Sequence, residues 1–366
     1  MEDKLFVRTK EGEGYEIILT YDFKALPGKL KELGFEGRRI CILSDDNVFP
    51  LYGEEVKASL KEISENIFSY VFHAGEEYKN LDTVRDIYKA LKGLSLDRRD
   101  LILALGGGVT GDMGGFAAAT YLRGVDFIQL PTTLLSCTDS SIGGKTGVDL
   151  DEYKNMVGAF KMPRLVYMNL KTLSSLPDRE FSSGMAEILK HGLIRDQAYY
   201  EWLINNFSEI NDKEPEVILK MIQRSLEIKR DVVEKDPFEE GDRALLNFGH
   251  TIGHAIEKYM DLTLKHGECV ALGIVAACSI SYKRGMLSAD EMYEIRDMLV
   301  PFGLPITLPD DADPDKILAL TKADKKMDKG RIRFVLLKKV GRAYIDTTVS
   351  DEEILSGIKE LIIRDE

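Results

Sequence analysis

A chain in two parts, α/β in its first half and mostly helical in its second, is predicted by three observations. Short β-rich runs alternate with segments of helical period over residues 16–130. Beyond about residue 176 the apolar residues recur three and four apart. The length, 366 residues, is roughly twice the ~150-residue scale on which single cores stop growing.

The runs expected as strands are 15–19, 39–43, 67–72, 101–105 and 127–130. Between them Leu81, Val84, Tyr88 and Leu91 keep helical spacing, so the alternation reads as βαβ units with a largely parallel sheet. In the second half, Val217, Ile218, Met221 and Ile222, then Ile252, Ala255, Ile256 and Tyr259, trace apolar helix faces. Pro177, Pro215, Pro237, Pro301, Pro305, Pro309 and Pro314 punctuate those helices, and 331–337 reads as a late strand or hairpin. The expected domains are 1–176 and 177–366.

Hydrophobic residues at 44% and charged residues at 30% describe a packed globular protein, not a disordered, collagen-like or coiled-coil one. Lys and Arg number 49 against 62 Asp and Glu, a net charge of −13, which argues against nucleic acid or an anionic membrane as partner. Met1-Glu2-Asp3-Lys4 leads into no apolar segment of a secretory signal, and the longest nearly apolar stretch, 269–282, falls short of the ~20 residues that span a bilayer. Cys41, Cys137, Cys269 and Cys278 form no CxxC pair, which suits a reducing compartment with thiols as small core residues. A cytoplasmic location is expected.

Directly after the run 101–105 comes Gly106-Gly107-Gly108-Val109-Thr110-Gly111-Asp112, in which Gly106, Gly108 and Gly111 satisfy G-x-G-x-x-G between a strand and a helix. Such glycines let backbone N–H groups approach a pyrophosphate at a helix N-terminus, which makes the first half a Rossmann-like nucleotide-binding domain; a tight strand-to-helix turn is the alternative. The motif follows about the fourth strand, and no acid closes a strand ~20 residues later. Asp45 offers that carboxylate, or equally the cap of a helix starting near Val48. The segment from Asp139 to Lys145 and Thr146 lacks the leading glycine of a Walker A loop, which disfavours a nucleotide triphosphatase. Lys145, Lys154-Asn155 and Lys161 form a basic run suited to an anion or to a solvated surface.

Five histidines occur, and His250, His254 and His266 crowd into 17 residues. His250 and His254, four apart on one helix face, suit two imidazoles reaching one ion, and a carboxylate is a common third ligand of a catalytic metal. Glu187 is the upstream candidate, with Lys190 three residues on; an exposed Glu–Lys helix pair is the alternative.

Taken together these motifs resemble the 3-dehydroquinate synthases of the sugar phosphate cyclase superfamily, over nearly the whole chain. The resemblance implies a cytoplasmic homodimer that uses NAD+ and a divalent metal, Zn2+ or Co2+, on a small anionic sugar phosphate. It implies Glu187, His250 and His266 as metal ligands, moving His254 to a catalytic or substrate-binding role. It implies cofactor contacts at Asp45, Asn47, Glu76, Lys79, Gly107, Gly108, Val109, Asp112, Thr132, Thr133, Leu135, Lys154 and Thr172. Asp139, Lys145, Asn155, Lys190, Lys229, Arg243 and Asn247 match substrate positions, Arg123 matches an arginine that crosses the dimer to the substrate phosphate, and a further lysine falls at Lys325 or Lys326.

The implied reaction is conversion of 3-deoxy-D-arabino-heptulosonate 7-phosphate to 3-dehydroquinate and phosphate in the shikimate pathway. It proceeds through transient oxidation, phosphate elimination, re-reduction, ring opening and aldol closure. Five cations, Arg123, Lys145, Lys190, Lys229 and Arg243, in an otherwise acidic chain agree with an anionic substrate. Other cyclases, such as 2-deoxy-scyllo-inosose synthase, share the scheme. Metal-dependent glycerol and alcohol dehydrogenases share the architecture but would leave those cations without an anion.

Overall fold

The computed structural model describes residues 3–9, 13–151, 153–239, 241–261, 263–325 and 333–362. It divides into two compact units, Met1–Leu176 and Pro177–Glu366.

In chain order the first unit holds β1 (Asp3–Arg8), β2 (Gly14–Thr20), α1 (Leu26–Glu32), β3 (Ile40–Asp45), α2 (Glu54–Leu60), β4 (Ile67–Phe72), α3 (Leu81–Gly93), β5 (Leu101–Gly106) and α4 (Gly108–Thr120). It continues with β6 (Asp126–Pro131), β7 (Lys145–Leu150), β8 (Tyr153–Phe160) and β9 (Leu165–Asn169). Seven strands form one sheet in the order β1-β2-β9-β6-β5-β3-β4, parallel except for β1 at the edge. β7 and β8 form a separate antiparallel hairpin.

Every residue of β3 and β5 is buried, the continuous apolar run of a parallel strand covered on both faces. Alternation divides the core: Ile40, Ile42, Leu101 and Leu103 meet Leu26, Leu30, Val56 and Leu60 of α1 and α2. Cys41, Leu43 and Ile102 meet Val84, Ile87 and Met113 of α3 and α4 on the other side. The expected strands and the helix over 81–91 are present; β1, the β7–β8 hairpin and β9 go beyond the sequence reading. After β4 the chain returns across β3 to β5 and then runs away from it through β6 to β9, so the strand order reverses between β3 and β5. In open parallel sheets such a reversal opens a ligand crevice at the strand carboxyl ends.

The second unit is built from α5 (Asp178–Arg195), α6 (Gln197–Asn205), α7 (Phe207–Asn211), α8 (Pro215–Lys235), α9 (His250–Tyr259), α10 (His266–Lys283), α11 (Ala289–Asp297) and α12 (Pro314–Lys325). The hairpin β10 (Phe334–Lys339) and β11 (Arg342–Asp346) and then α13 (Asp351–Lys359) complete it. The late strand or hairpin expected over 331–337 is the first strand of a hairpin that runs on to Asp346, with residues 331 and 332 outside the described set. Helix α10 is buried at every position from Gly267 to Ser281 and packs against α5, α9, α11 and α13. The apolar stretch noted in the sequence is thus the central core helix. Among the described residues no helix is long and apolar enough to cross a membrane. All four cysteines are buried thiols, and burial pushes Cys41 and Cys137 up to about 12.

Candidate active site

In the first unit the crevice is lined by the segments that follow β3, β5 and β6. Gly107 precedes α4 in an extended conformation, which aims the first N–H groups of that helix past the end of β5. A Cβ on Gly107 would stand 3.1 Å from Thr133 Cγ2, and one on Gly108 3.2 Å from Ser140 Oγ, so side chains here would fill the space a backbone-bound ligand needs. Thr132 Oγ1 and Ser140 Oγ are buried without a hydrogen-bond partner, the kind of polar atom a ligand would satisfy. Asp45 closes the turn at the end of β3, Oδ1 accepting from the N–H of Asn47 and Val48 at 3.1 and 3.0 Å, while Oδ2 accepts from Thr110 Oγ1 at 2.9 Å. Capping one turn, it also ties the end of β3 to the glycine loop.

Lys79 is buried and donates to Asp112 Oδ2 at 2.7 Å and to Asn155 Oδ1 at 2.6 Å. Burial raises the Asp112 carboxyl above its ordinary range, with Lys79 opposing. Lys154 Nζ lies 3.5 Å from Glu76 Oε1. These are two ion pairs, and the charge of Glu76 also acts on both Lys79 and Asp112. Asn155, matched to a substrate position, meets Lys79 in a left-handed backbone conformation. Thr133 bonds with Ser136 in the turn after β6, and Leu135 and Asp139 lie within that turn, partly buried. Val109 lies in the first turn of α4, Thr172 is buried in the turn after β9, and Asn47 is exposed. Lys145 opens β7 and is exposed. Arg123 is also exposed, at φ +66° directly after Leu122 at φ +50°, two left-handed residues that strain this turn.

In the second unit three helices deliver Glu187, His250 and His266 to one point. Glycine permits this close approach: a Cβ on Gly267 would collide with the Ser183 backbone of α5, and one on Gly273 with the Gly249 carbonyl preceding α9. Glu268, in the first turn of α10, accepts from the Lys265 N–H at 2.6 Å and takes a bidentate pair from Arg179 at 2.7 Å to each oxygen, fixing the helix end that carries His266.

One donor atom from each of Glu187, His250 and His266 lies within 4.8 Å of the others. His250 Nε2 and His266 Nε2 stand 3.4 and 3.7 Å from Glu187 Oε1, a buried oxygen with no hydrogen-bond partner. A carboxylate and two imidazoles are a donor set suited to a divalent metal. Lys190 Nζ donates to the other oxygen, Glu187 Oε2. Burial pushes the Glu187 carboxyl up, but Lys190, His250 and His266 outweigh it and hold it well below its usual range. Burial, with Lys190, keeps His250 neutral. Burial disfavours the charged form of His266 too, yet Glu187 and Glu257 raise it to about 9. A bound divalent cation would take over that proton's charge.

His254 is exposed, its ring 5.2 Å from that of His250, and stands outside the set. It belongs to a second grouping with Glu257 and His266. Lys190, Lys229 and Arg243 are all buried, Arg243 donating to the Pro237 carbonyl. Asn247 Nδ2 donates to Glu239 Oε1 at 2.7 Å. Lys325 ends α12, and Lys326 lies outside the described residues. The sequence reading gave no role to Thr110, Ser140 or Glu257; Glu257 had a signal, three residues after His254 on the same helix face.

Residues 69–183 match the 3-dehydroquinate synthase N-terminal family model and residues 184–327 the 3-dehydroquinate synthase C-terminal model. The 3-dehydroquinate synthase of Acetivibrio thermocellus is 42% identical over 348 residues, covering 95% of this chain and 96% of that protein. The chain belongs to the 3-dehydroquinate synthase family. That of Rippkaea orientalis is also 42% identical, covering 92% of this chain and 94% of its own. Members of the 3-dehydroquinate synthase family are phosphate-eliminating lyases, and solved structures of related cyclases share this fold. 2-Epi-5-epi-valiolone synthase from Streptomyces hygroscopicus subsp. jinggangensis, with NAD+ and Zn2+ bound, has a TM-score of 0.88 at 28% identity, covering 97% of this chain and 98% of its own. 2-Deoxy-scyllo-inosose synthase, complexed with carbaglucose-6-phosphate, NAD+ and Co2+, has a TM-score of 0.88 at 26% identity, covering 98% and 100%.

Proposed function

We propose that the chain converts 3-deoxy-D-arabino-heptulosonate 7-phosphate into 3-dehydroquinate and phosphate, as a cytoplasmic homodimer holding NAD+ and a divalent metal, Zn2+ or Co2+. The observation that carries the reading is the Glu187, His250 and His266 donor set beside the buried ammonium of Lys190. Family membership and the ligands named for the two cyclase structures support it.

Both groups fit the residues present. The unpartnered Glu187 Oε1 and two imidazoles suit the metal, while the glycine loop with unpartnered Thr132 Oγ1 and Ser140 Oγ suits a dinucleotide. Asp45, Asn47, Glu76, Lys79, Gly107, Gly108, Val109, Asp112, Thr132, Thr133, Leu135, Lys154 and Thr172 would hold NAD+. When bound, the two groups supply a reversible hydride acceptor and a Lewis acid for vicinal hydroxyls.

The chain's own residues then bind and orient. Lys145, Lys190, Lys229 and Arg243, with Arg123 supplied from the second copy, set positive charge against the substrate carboxylate and phosphate. Burial of Lys190, Lys229 and Arg243 limits screening by water, so each cation acts more strongly than on a surface. Asp139, Asn155 and Asn247 orient hydroxyl groups, and His254 binds substrate or holds a proton at its imidazole. Loss of phosphate leaves a substrate that carries the groups needed for ring opening and aldol closure, so the later steps demand orientation above all.

Substrate trials test this reading. Phosphate and 3-dehydroquinate should form from the heptulosonate phosphate; turnover of a hexose phosphate instead would assign the chain to a neighbouring cyclase.

A further inference from the structure

His266 faces two carboxylates with its two ring nitrogens. Nε2 lies 3.7 Å from Glu187 Oε1, on the side of His250, and Nδ1 lies 3.8 Å from Glu257 Oε1. Glu257 is buried on α9, seven residues beyond His250. Seven residues are two helical turns, so α9 presents on one face a metal-ligand candidate and the carboxylate facing another. A buried carboxylate needs a cationic or hydrogen-bonding partner, and the imidazole of His266 is one that the geometry supplies.

We infer that Glu257 is a positioning residue for the metal centre. A closer approach from the 3.8 Å separation lets it accept the Nδ1–H of His266, fixing the tautomer whose Nε2 lone pair points toward Glu187 and His250. This rests on the proposed metal reading of those three residues. A ligating imidazole must present its lone pair to the metal, and a carboxylate on its far nitrogen fixes that aim while raising its basicity as a ligand. The competing grouping, in which Glu257 itself ligates with His254 and His266, draws on the exposed His254 and leaves out the unpartnered Glu187 Oε1.

The test is Zn2+ affinity of the full chain, by competition with a chromophoric chelator, together with the absorption spectrum of the Co2+-loaded protein. Glu257→Ala should still bind one ion per chain with an unchanged number of ligands, but about 10- to 100-fold more weakly. Glu257→Gln, whose amide oxygen still accepts, should recover part of that loss. Affinity equal to the unchanged protein in Glu257→Ala overturns the inference. So does loss of the bound ion in Glu257→Ala while His250→Ala retains it, since Glu257 would then be a ligand. If Glu257→Ala does not fold, Glu257→Gln decides: several-fold weaker Zn2+ binding supports the role and equal binding overturns it. An unchanged protein that binds no metal would refute the metal reading itself, a result distinct from either.

Discussion

Lys190 donates to Glu187 one helical turn before it, and both side chains are buried in α5. Spacing alone left this pair as either an exposed helix contact or part of a metal site, and the burial decides that it is no surface pair. Removing one partner of a buried ion pair leaves an uncompensated charge, so Lys190→Met should destabilise the metal-free protein by about 3–5 kcal/mol. Saturating Zn2+ should recover much of that loss, because the cation replaces the ammonium as partner of Glu187. Urea unfolding with and without Zn2+ measures both; a loss that Zn2+ leaves untouched would contradict the proposed ligand set.

Gly273 is the point at which α10 passes the carbonyl of Gly249, the residue before His250. A methyl group there forces α9 and α10 apart. Gly273→Ala should destabilise the fold by roughly 1–3 kcal/mol and weaken Zn2+ binding although no ligand is changed. Thermal unfolding and a metal titration on the same variant check it, and unaltered metal affinity would contradict the account of how the helices bring the donors together.

Arg284, at the end of α10, pairs bidentately with Glu353 of α13 at 2.6 and 2.8 Å and with Asp346 of β11 at 2.8 Å. The hydrogen bonds from Arg284 are the main cause holding the Glu353 carboxyl at about 2. A depressed carboxyl stabilises the fold above its unfolded value near 4.5, and that contribution is lost as pH falls from there toward 2. Glu353→Gln should therefore cost about 1–2 kcal/mol at neutral pH, given the partial exposure of the pair, and less as the solution is acidified below 4.5. Denaturant midpoints across pH 3 to 8 read this out; a cost that grows on acidification would contradict it.

The sequence showed the parallel α/β half because β3 and β5 are buried on both faces and so read as unbroken apolar runs. It did not show β1, whose inward Leu5 and Val7 alternate with exposed Lys4, Phe6 and Arg8 at a sheet edge, or β8, where no side chain is fully buried. The region of the candidate donors was legible because histidines are scarce and these are clustered, but spacing paired His250 with His254, and His266 entered the set only through the family resemblance. Glu257 was not singled out, because its one signal, three residues after His254, reads equally as a solvated helix face until its burial is known. Asp45 shows a different limit: capping and tying the glycine loop are both true of it, and only coordinates separate Oδ1 from Oδ2.

Arg123 is exposed in a strained turn. If it completes the active site of a second copy, Arg123→Ala mixed with inactive Lys190→Ala should regenerate sites in which both groups are intact. Random reassortment would leave about a quarter of the sites fully intact in an equal mixture, by the logic of a shared symmetric interface. Activity measured after subunit exchange, verified by mass-tagged copies, should rise accordingly; no recovery would contradict sharing.

In the proposed reaction NAD+ is a catalyst, with the hydride taken from the sugar returned to it. With 3-deoxy-D-arabino-heptulosonate 7-phosphate, Zn2+ or Co2+ and far less NAD+ than substrate, one phosphate should be released per substrate consumed, with no matching growth of NADH absorbance. NADH accumulating mole for mole with product, or turnover that stops once the NAD+ is used, would contradict the account and identify a dehydrogenase.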